Sequence, residues 1–263
     1  DKVKQIVVNA AECEPLMMVD HHILEKHLQA LVDTLKVLIE AMNAEEAIIG
    51  IKGKNLHLLD QKILSSLEGT NIKVKTIPDI YPAGDEVVLT YETTGKIIPE
   101  GAIPVMVGVM VINVETVYNI HKALTKNVPV TEKYITIGGD VSADMTVKAP
   151  VGMKISELLS AAGYNDLKDK EVINGGPMMG KLVDLENDVV TKTTKGLLIF
   201  PKYHSIVQRK KMSVSTAIKQ ASAACCNCTM CSDMCPRNLL GYDLYVHKTL
   251  RAASHSEGNN TES

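Results

Sequence analysis

The sequence predicts an α/β protein: a doubly wound parallel sheet, then a small α+β module, then a helical segment bearing clustered cysteines. Three observations point there. Buried-strand and amphipathic-helix patterns alternate through the first half of the 263-residue chain, the rhythm of a parallel sheet with crossover helices. Beyond Pro129 the strands shorten and the turns become rich in glycine, which ends that rhythm. Five of the six cysteines fall between Cys225 and Cys235, a distribution that suits a metal site better than a disulfide scaffold.

Val3 to Asn9 reads as a buried strand that starts abruptly, as though sequence were missing upstream. After the turn at Pro15, Leu24, Leu28, Leu31, Leu35, Leu38 and Met42 recur at spacings of four and three, one stripe of a long amphipathic helix ending near Asn43. Ala47 to Lys52 reads as a strand, Leu56 to Leu67 as a helix closed by Gly69, and Ile72 to Ile77 as a strand stopped by Pro78. A helical stretch from Asp85, a strand over Pro104 to Ile112 and a helix from Val114 to Thr125 complete a domain of residues 1–127. Strands at Tyr134 to Ile137 and Met145 to Ala149, a helix over Ile155 to Ala162 and turns at Asn174 to Gly180 make a module of residues 128–200. A helix from Met212 leads into the cysteines and another spans Leu239 to Ala253, a helical segment of residues 201–253. The polar residues 254–263 read as a flexible tail.

Composition narrows the function. With 45% apolar and 22% charged residues the chain builds a real core and is not disordered. The longest apolar run, Ala102 to Ile112, is broken by proline and glycine and falls well short of the roughly 20 residues of a membrane helix. No signal-peptide pattern opens the chain, so a soluble cytoplasmic protein with no direct membrane span is expected. Basic and acidic residues number 28 and 31, with no Trp and one Phe. That leaves neither the basic surface nor the aromatic platforms of a nucleic-acid binder.

Cys225, Cys228, Cys231, Cys235 and Pro236 form C-x2-C-x2-C-x3-C-P, the ferredoxin run in which close thiolates wrap a 4Fe-4S cube. Structural zinc is the weaker alternative, because it usually takes two separated pairs of ligands. In two-cluster ferredoxins the fourth cysteine serves the other cluster; either Cys235 closes its own cube here or a second motif lies beyond the chain. Cys226 is a spare thiol.

Three polar loops follow predicted parallel strands: Asn9-Ala-Ala-Glu-Cys-Glu-Pro15, Tyr81-Pro-Ala-Gly-Asp-Glu86 and Asn113-Val-Glu-Thr116. Singly each has a structural explanation, with Asn113 and Asp85 as helix N-caps. Together they offer helix N-termini, glycine-flanked amides and side-chain amides where doubly wound sheets bind phosphorylated cofactors.

The order of these loops, then Asn174-Gly-Gly-Pro-Met-Met-Gly180, then the cysteine run with Pro236-Arg-Asn-Leu-Leu-Gly241, resembles the family of the Rnf electron-transport C subunit and the PduS-type cobalamin reductase. That family is itself similar to the NADH-binding flavoprotein subunit of respiratory complex I. The resemblance implies a Rossmann-like FMN and NADH domain, a β-grasp module of the soluble-ligand-binding (SLBB) type and a helical 4Fe-4S segment. It implies that Asn9, Gly84, Asp85, Asn113 and Thr116 contact flavin, that Glu14 and Glu86 face the nicotinamide dinucleotide, and that Tyr81 and Glu12 flank the pocket. The chain departs from the family at Ala11, where complex I carries a carboxylate, and lacks the glycine-rich loop that precedes the first strand.

The histidines His21, His22 and His27 read as a solvated helix face, Arg209-Lys210-Lys211 as a solvated run, Met178 and Met179 as packing, and Cys13, between two carboxylates, as structural. The implied activity is NADH-dependent oxidoreduction: electrons pass through FMN and the cluster to a corrinoid, with no side chain needed as acid or base. The expected partners are a redox protein or corrinoid acceptor and other subunits of an electron-transfer complex or microcompartment. The alternatives are an Rnf-type subunit on the cytoplasmic membrane face and a cluster-only relay that lacks an NADH site.

Overall fold

In the computed structural model, which describes residues 3–259, the first apolar run forms β1 (Gln5–Ala10), followed by α1 (Val19–Met42), β2 (Glu46–Lys52), α2 (Gln61–Ser66) and β3 (Ile72–Ile77). α3 (Glu86–Thr94), β4 (Val109–Asn113) and α4 (Val114–Lys126) complete the first sheet and its helices. The strands run in the order β3-β2-β1-β4 and every pairing is parallel. Alternation along β1 sends Ile6 and Val8 into one core with Leu24, Leu31 and Leu35 of α1. Val7 enters another core on the opposite face with Leu89 of α3, so helices cover both sides of the sheet.

The boundaries depart from the sequence reading where local chemistry intervenes. Pro104, which has no N–H to give a strand, opens a 3-10 turn over Pro104–Val107, and extended chain begins only at Val109. The helix expected over Leu56 to Leu67 is split into a 3-10 turn, Gly53–Leu58, and α2, because Asp60 caps α2 by accepting from the N–H groups of Lys62 and Ile63. α1 is interrupted at His27, where φ is −133° and ψ 20°.

A second sheet comprises β5 (Glu132–Gly139), β6 (Met145–Pro150), β7 (Lys170–Asn174), β8 (Lys181–Leu182) and β9 (Gly196–Pro201), in the order β6-β5-β9-β7-β8. β5 and β9 pair parallel and the other neighbours antiparallel. With α5 (Ile155–Ala161) packed on one face through Ile155, Leu158 and Leu159, this is the first-and-last-strands-central arrangement of a β-grasp.

The chain divides into two units, Asp1–Val207 and Gln208–Ser263. Both sheets belong to the first. α6 (Ser205–Lys211) runs through the boundary, and the second unit is built from α7 (Val214–Ala224), α8 (Met230–Asp233), α9 (Pro236–Leu239) and α10 (Val246–Asn259). The helix expected from Leu239 starts only at Val246, because Gly241 at φ 92° breaks the chain there. Ser254 to Asn259, read as the start of a tail, belong to α10; residues 260–263 lie outside the described residues. Among the described residues no helix is long and apolar enough to cross a membrane.

Candidate functional site

In a parallel sheet of this order the winding reverses between β1 and β4, which opens a crevice at their carboxyl ends. Asn9 and Asn113 are register partners at those two ends. A cavity of about 490 Å³ lies there, lined by Asn9, Glu12, Glu14, Asp20, Gly84 and Asn113 from the first sheet's side and by Asn174–Gly176, Met179–Lys181, Thr193 and Lys195 from the second's. That size falls within the roughly 300–1,000 Å³ of small-molecule sites.

Hydrogen bonds tie the loops around it. The Asn9 amide donates to the Gly84 carbonyl at 2.8 Å and its oxygen accepts from the Ala11 N–H at 3.2 Å. The Gly84 N–H donates to Cys13 Sγ at 2.9 Å. A Cβ at Gly84 would stand 3.0 Å from both Ala11 Cβ and Cys13 Sγ, so glycine lets the two loops close. Glu14 spans to the second sheet: Oε2 accepts from the Met178 N–H at 3.0 Å and Oε1 from the Met179 N–H at 2.7 Å. A Cβ at Gly176 would fall inside the Glu14 side chain.

The floor is ionic. Lys195 Nζ stands 2.6 Å from Asp20 Oδ2 and 3.1 Å from Glu12 Oε1, while Glu12 Oε2 accepts from the Asp20 N–H at 2.9 Å. The side chains of Glu12 and Asp20 are 3% and 2% exposed. Burial, with the Asp20 charge adding, pushes the Glu12 carboxyl up to about 7 against the pull of Lys195. Burial alone would lower the Lys195 ammonium, but Asp20 and Glu12 outweigh it and hold it well above the usual lysine range. Burial and Lys195 lower His21 against the opposing pull of Asp20. Asp20 Oδ1 is buried without a hydrogen-bond partner.

Of the residues singled out in the sequence, Asn9, Glu12, Glu14, Gly84 and Asn113 meet at this cavity. Tyr81 lines a neighbouring cavity with Glu12 and Glu14; burial, then the Glu14 charge, raises its phenol. Asp85 caps α3 by accepting from the Val87 and Val88 N–H groups, and Glu86 in the first turn is exposed. Thr116 is not brought to the main cavity: it lines a separate one with Glu115, Lys133 and Lys192. The sequence reading missed Asp20 and Lys195. An acid in a helix's first turn has an ordinary dipole explanation, and Lys195 lies in a polar stretch without periodicity. The histidine face is packed, not solvated: His27 stacks on Tyr118 at 4.2 Å and bonds the Tyr134 hydroxyl at 3.1 Å, and His21 bonds Asn55 at 2.9 Å.

In the second unit all four cysteines of the run are free thiols, Cys225, Cys228 and Cys231 exposed and Cys235 half-buried. The Met230 N–H, with Cys226 adding, holds the Cys228 thiol below its usual range. Among the described residues no three His, Cys, Asp or Glu side chains are gathered as a metal site. The fit to a cube therefore rests on the donor set: four thiols of the right spacing in one short stretch.

Residues 1–122 match the family described as the Nuo51 FMN-binding domain, and residues 224–263 the 4Fe-4S dicluster domain. The chain is 38% identical over 256 residues to cobalamin reductase PduS of Citrobacter freundii, covering 97% of this chain and 56% of that protein. It is 40% identical over 253 residues to cobalamin reductase PduS of Salmonella typhimurium, covering 96% and 56%. It thus spans just over half the length of these relatives. Among solved structures it is similar to the NAD+-reducing NiFe hydrogenase in the air-oxidized state, with a TM-score of 0.61 and 19% identity over 78% of this chain and 41% of that one. The H2-reduced state gives 0.61 and 17% over 86% and 44%. At such identity the likeness shows the fold.

Proposed function

We propose that the chain, which is similar along nearly all its length to the PduS cobalamin reductases, is the flavin- and cluster-bearing part of an electron-transferring oxidoreductase. The reading rests above all on one observation: the stretch that matches an FMN-binding domain supplies one wall of the polar cavity at the β1/β4 switch point, with Asn9, Glu12, Glu14, Gly84 and Asn113.

The cavity's chemistry suits a flavin. Its rim carries four glycines, Gly84, Gly175, Gly176 and Gly180, which suits the close approach of a flat ring. Its floor carries carboxylates, one with an orphaned oxygen, which favours a ligand's N–H and O–H donors over its phosphate. Asn9, Gly84 and Asn113 hold the flavin, Asp85 acts by fixing the first turn of α3, and Glu12 and Glu14 border the approach of a nicotinamide dinucleotide beside Tyr81. Thr116 drops out of this set because it faces another cavity. Cys225, Cys228, Cys231 and Cys235 hold the cluster. The bound groups supply hydride acceptance from NADH and release of single electrons through a 4Fe-4S cube; the chain's own residues bind, orient and exclude water. The acceptor is a corrinoid, by analogy with the relatives' name. The domain division at residues 127 and 200 and a cytoplasmic location belong to the same proposal.

The test is an anaerobic purification followed by an absorption spectrum, with iron, sulfide, zinc and flavin assayed on one sample. Broad absorption near about 400 nm with roughly four irons and one flavin per chain is the expected result. Iron without flavin reduces the chain to a relay, and zinc without iron overturns the redox reading.

A further inference from the structure

The flavin reading leaves one group of the cavity floor without a role: the lysine that the second sheet contributes to it. Lys195 comes from the residue just before β9, while Glu12 and Asp20 follow β1. The lysine bridges both carboxylates, at 3.1 and 2.6 Å. Asp20 uses Oδ2 for Lys195 and, at 3.5 Å, for the Asn113 amide. Its other oxygen, Oδ1, is buried without a partner, and Asp20 is one of the residues that line the cavity. Leaving a buried acceptor unsatisfied costs free energy, and the cavity is where a partner can arrive.

We propose that Lys195 is a positioning residue of the cofactor pocket, holding the Glu12 and Asp20 carboxylates together so that Asp20 Oδ1 accepts a hydrogen bond from an N–H or O–H of the bound flavin. The second sheet is then a working part of the flavin site. The inference rests on the flavin reading above. The charged and titratable groups facing the floor are Asp20 and His21 of α1, Lys195, and across the cavity Glu14 and Lys181. With Lys195 removed, two buried carboxylates share one space without a cation, and one of them must hold a proton through neutral pH. Glu12, already poised near 7, takes it, and Asp20 turns to accept from Glu12 instead of from the ligand.

The experiment compares the native chain with Lys195→Met, Lys195→Arg and Asp20→Asn. FMN affinity is read by fluorescence quenching at pH 7.5, with far-UV circular dichroism to verify folding. The Glu12 carboxyl is titrated without ligand by 13C NMR and assigned with Glu12→Gln. Lys195→Met and Asp20→Asn should each weaken FMN binding about tenfold or more, the equivalent of one pKa unit. Lys195→Met should also move the Glu12 titration upward. Lys195→Arg, which keeps the charge, should restore both within about threefold. A folded Lys195→Met chain that binds FMN like the native one, with Glu12 titrating unchanged, overturns the proposal. A native chain that takes up no FMN overturns the flavin reading and with it the proposed ligand, and the Glu12 titration distinguishes that failure from a failure of the lysine.

Discussion

Replacing Glu12 with Gln removes the one ionisation that the floor holds near neutrality, and its effect on stability can be worked through with a definite sign. The Glu12 carboxyl rises from 4.5 to about 7 because burial and Asp20 outweigh Lys195. Its folded value therefore lies above its unfolded one, and the folded state binds the extra proton between those values. Stability is fully present below about 4.5 and is lost as pH rises through about 7. At ~1.4 kcal/mol per unit this shift is worth roughly 3 kcal/mol. Gln cannot ionise, so the variant escapes the loss. Titrating groups that do not interact with Glu12, His21 among them, are common to both proteins and drop out of the difference.

The assay is thermal unfolding of both proteins from pH 5 to pH 9, followed by circular dichroism. Near pH 5 the melting temperatures should nearly coincide; by pH 8 the Gln variant should melt roughly 5–10 °C higher, taking ~2–4 °C per kcal/mol for a unit of this size. Curves that stay parallel across that range would refute the reasoning, because they would mean that Glu12 is ionised throughout and that Lys195 outweighs burial.

Cys228→Ala should abolish iron binding while the first unit keeps its circular dichroism, since the cysteine run lies wholly within the second unit; loss of the whole signal would refute that independence. Asp85→Ala should cost about 0.5–2 kcal/mol through the lost cap of α3 and change FMN affinity only a few-fold, as titration and denaturant melts would record; abolished binding would make Asp85 a direct contact. Gly176→Ala should expel the Glu14 carboxylate from the Met178 and Met179 amides and destabilise by about 0.5–1.5 kcal/mol, the net worth of a hydrogen bond whose exposed donors water can satisfy instead. An unchanged melt would show that the two loops are not held by that contact.

The parallel sheet could be read from the sequence because its signals are periodic: the leucine stripe of α1 and the unbroken apolar runs of β1 and β2 have one good solution each. The second sheet could be read only in part. β8 has two residues, Lys181–Leu182, too few for any periodicity, and β7 and β9 are defined by pairing with partners far along the chain. At the site, Asn9, Glu14, Gly84 and Asn113 were visible because they stand at or beyond the carboxyl ends of strands, where ligand loops of such sheets lie. Asp85 and Asn113 also show that the structural role of a polar residue can be present in full: each caps its helix, whatever else it does.

Lys195 and Asp20 stand 175 residues apart, and no local pattern can announce a contact made only when a second sheet closes on the first. Yet energetics say why such a contact is informative once seen. Two carboxylates and an ammonium lose most of their hydration at this floor, and a buried ionic group of this kind is often no more stabilising than well-packed apolar side chains of similar volume. A sequence selected for stability alone would fill the space with well-packed apolar side chains. This one keeps Glu12 in a left-handed backbone conformation at φ 38°, unfavourable for a residue with a side chain, and leaves an Asp20 oxygen unsatisfied. Backbone strain, a neutral-range carboxyl and an orphaned acceptor coincide within one cavity, and a ligand with a hydrogen-bond donor relieves at least the last of them.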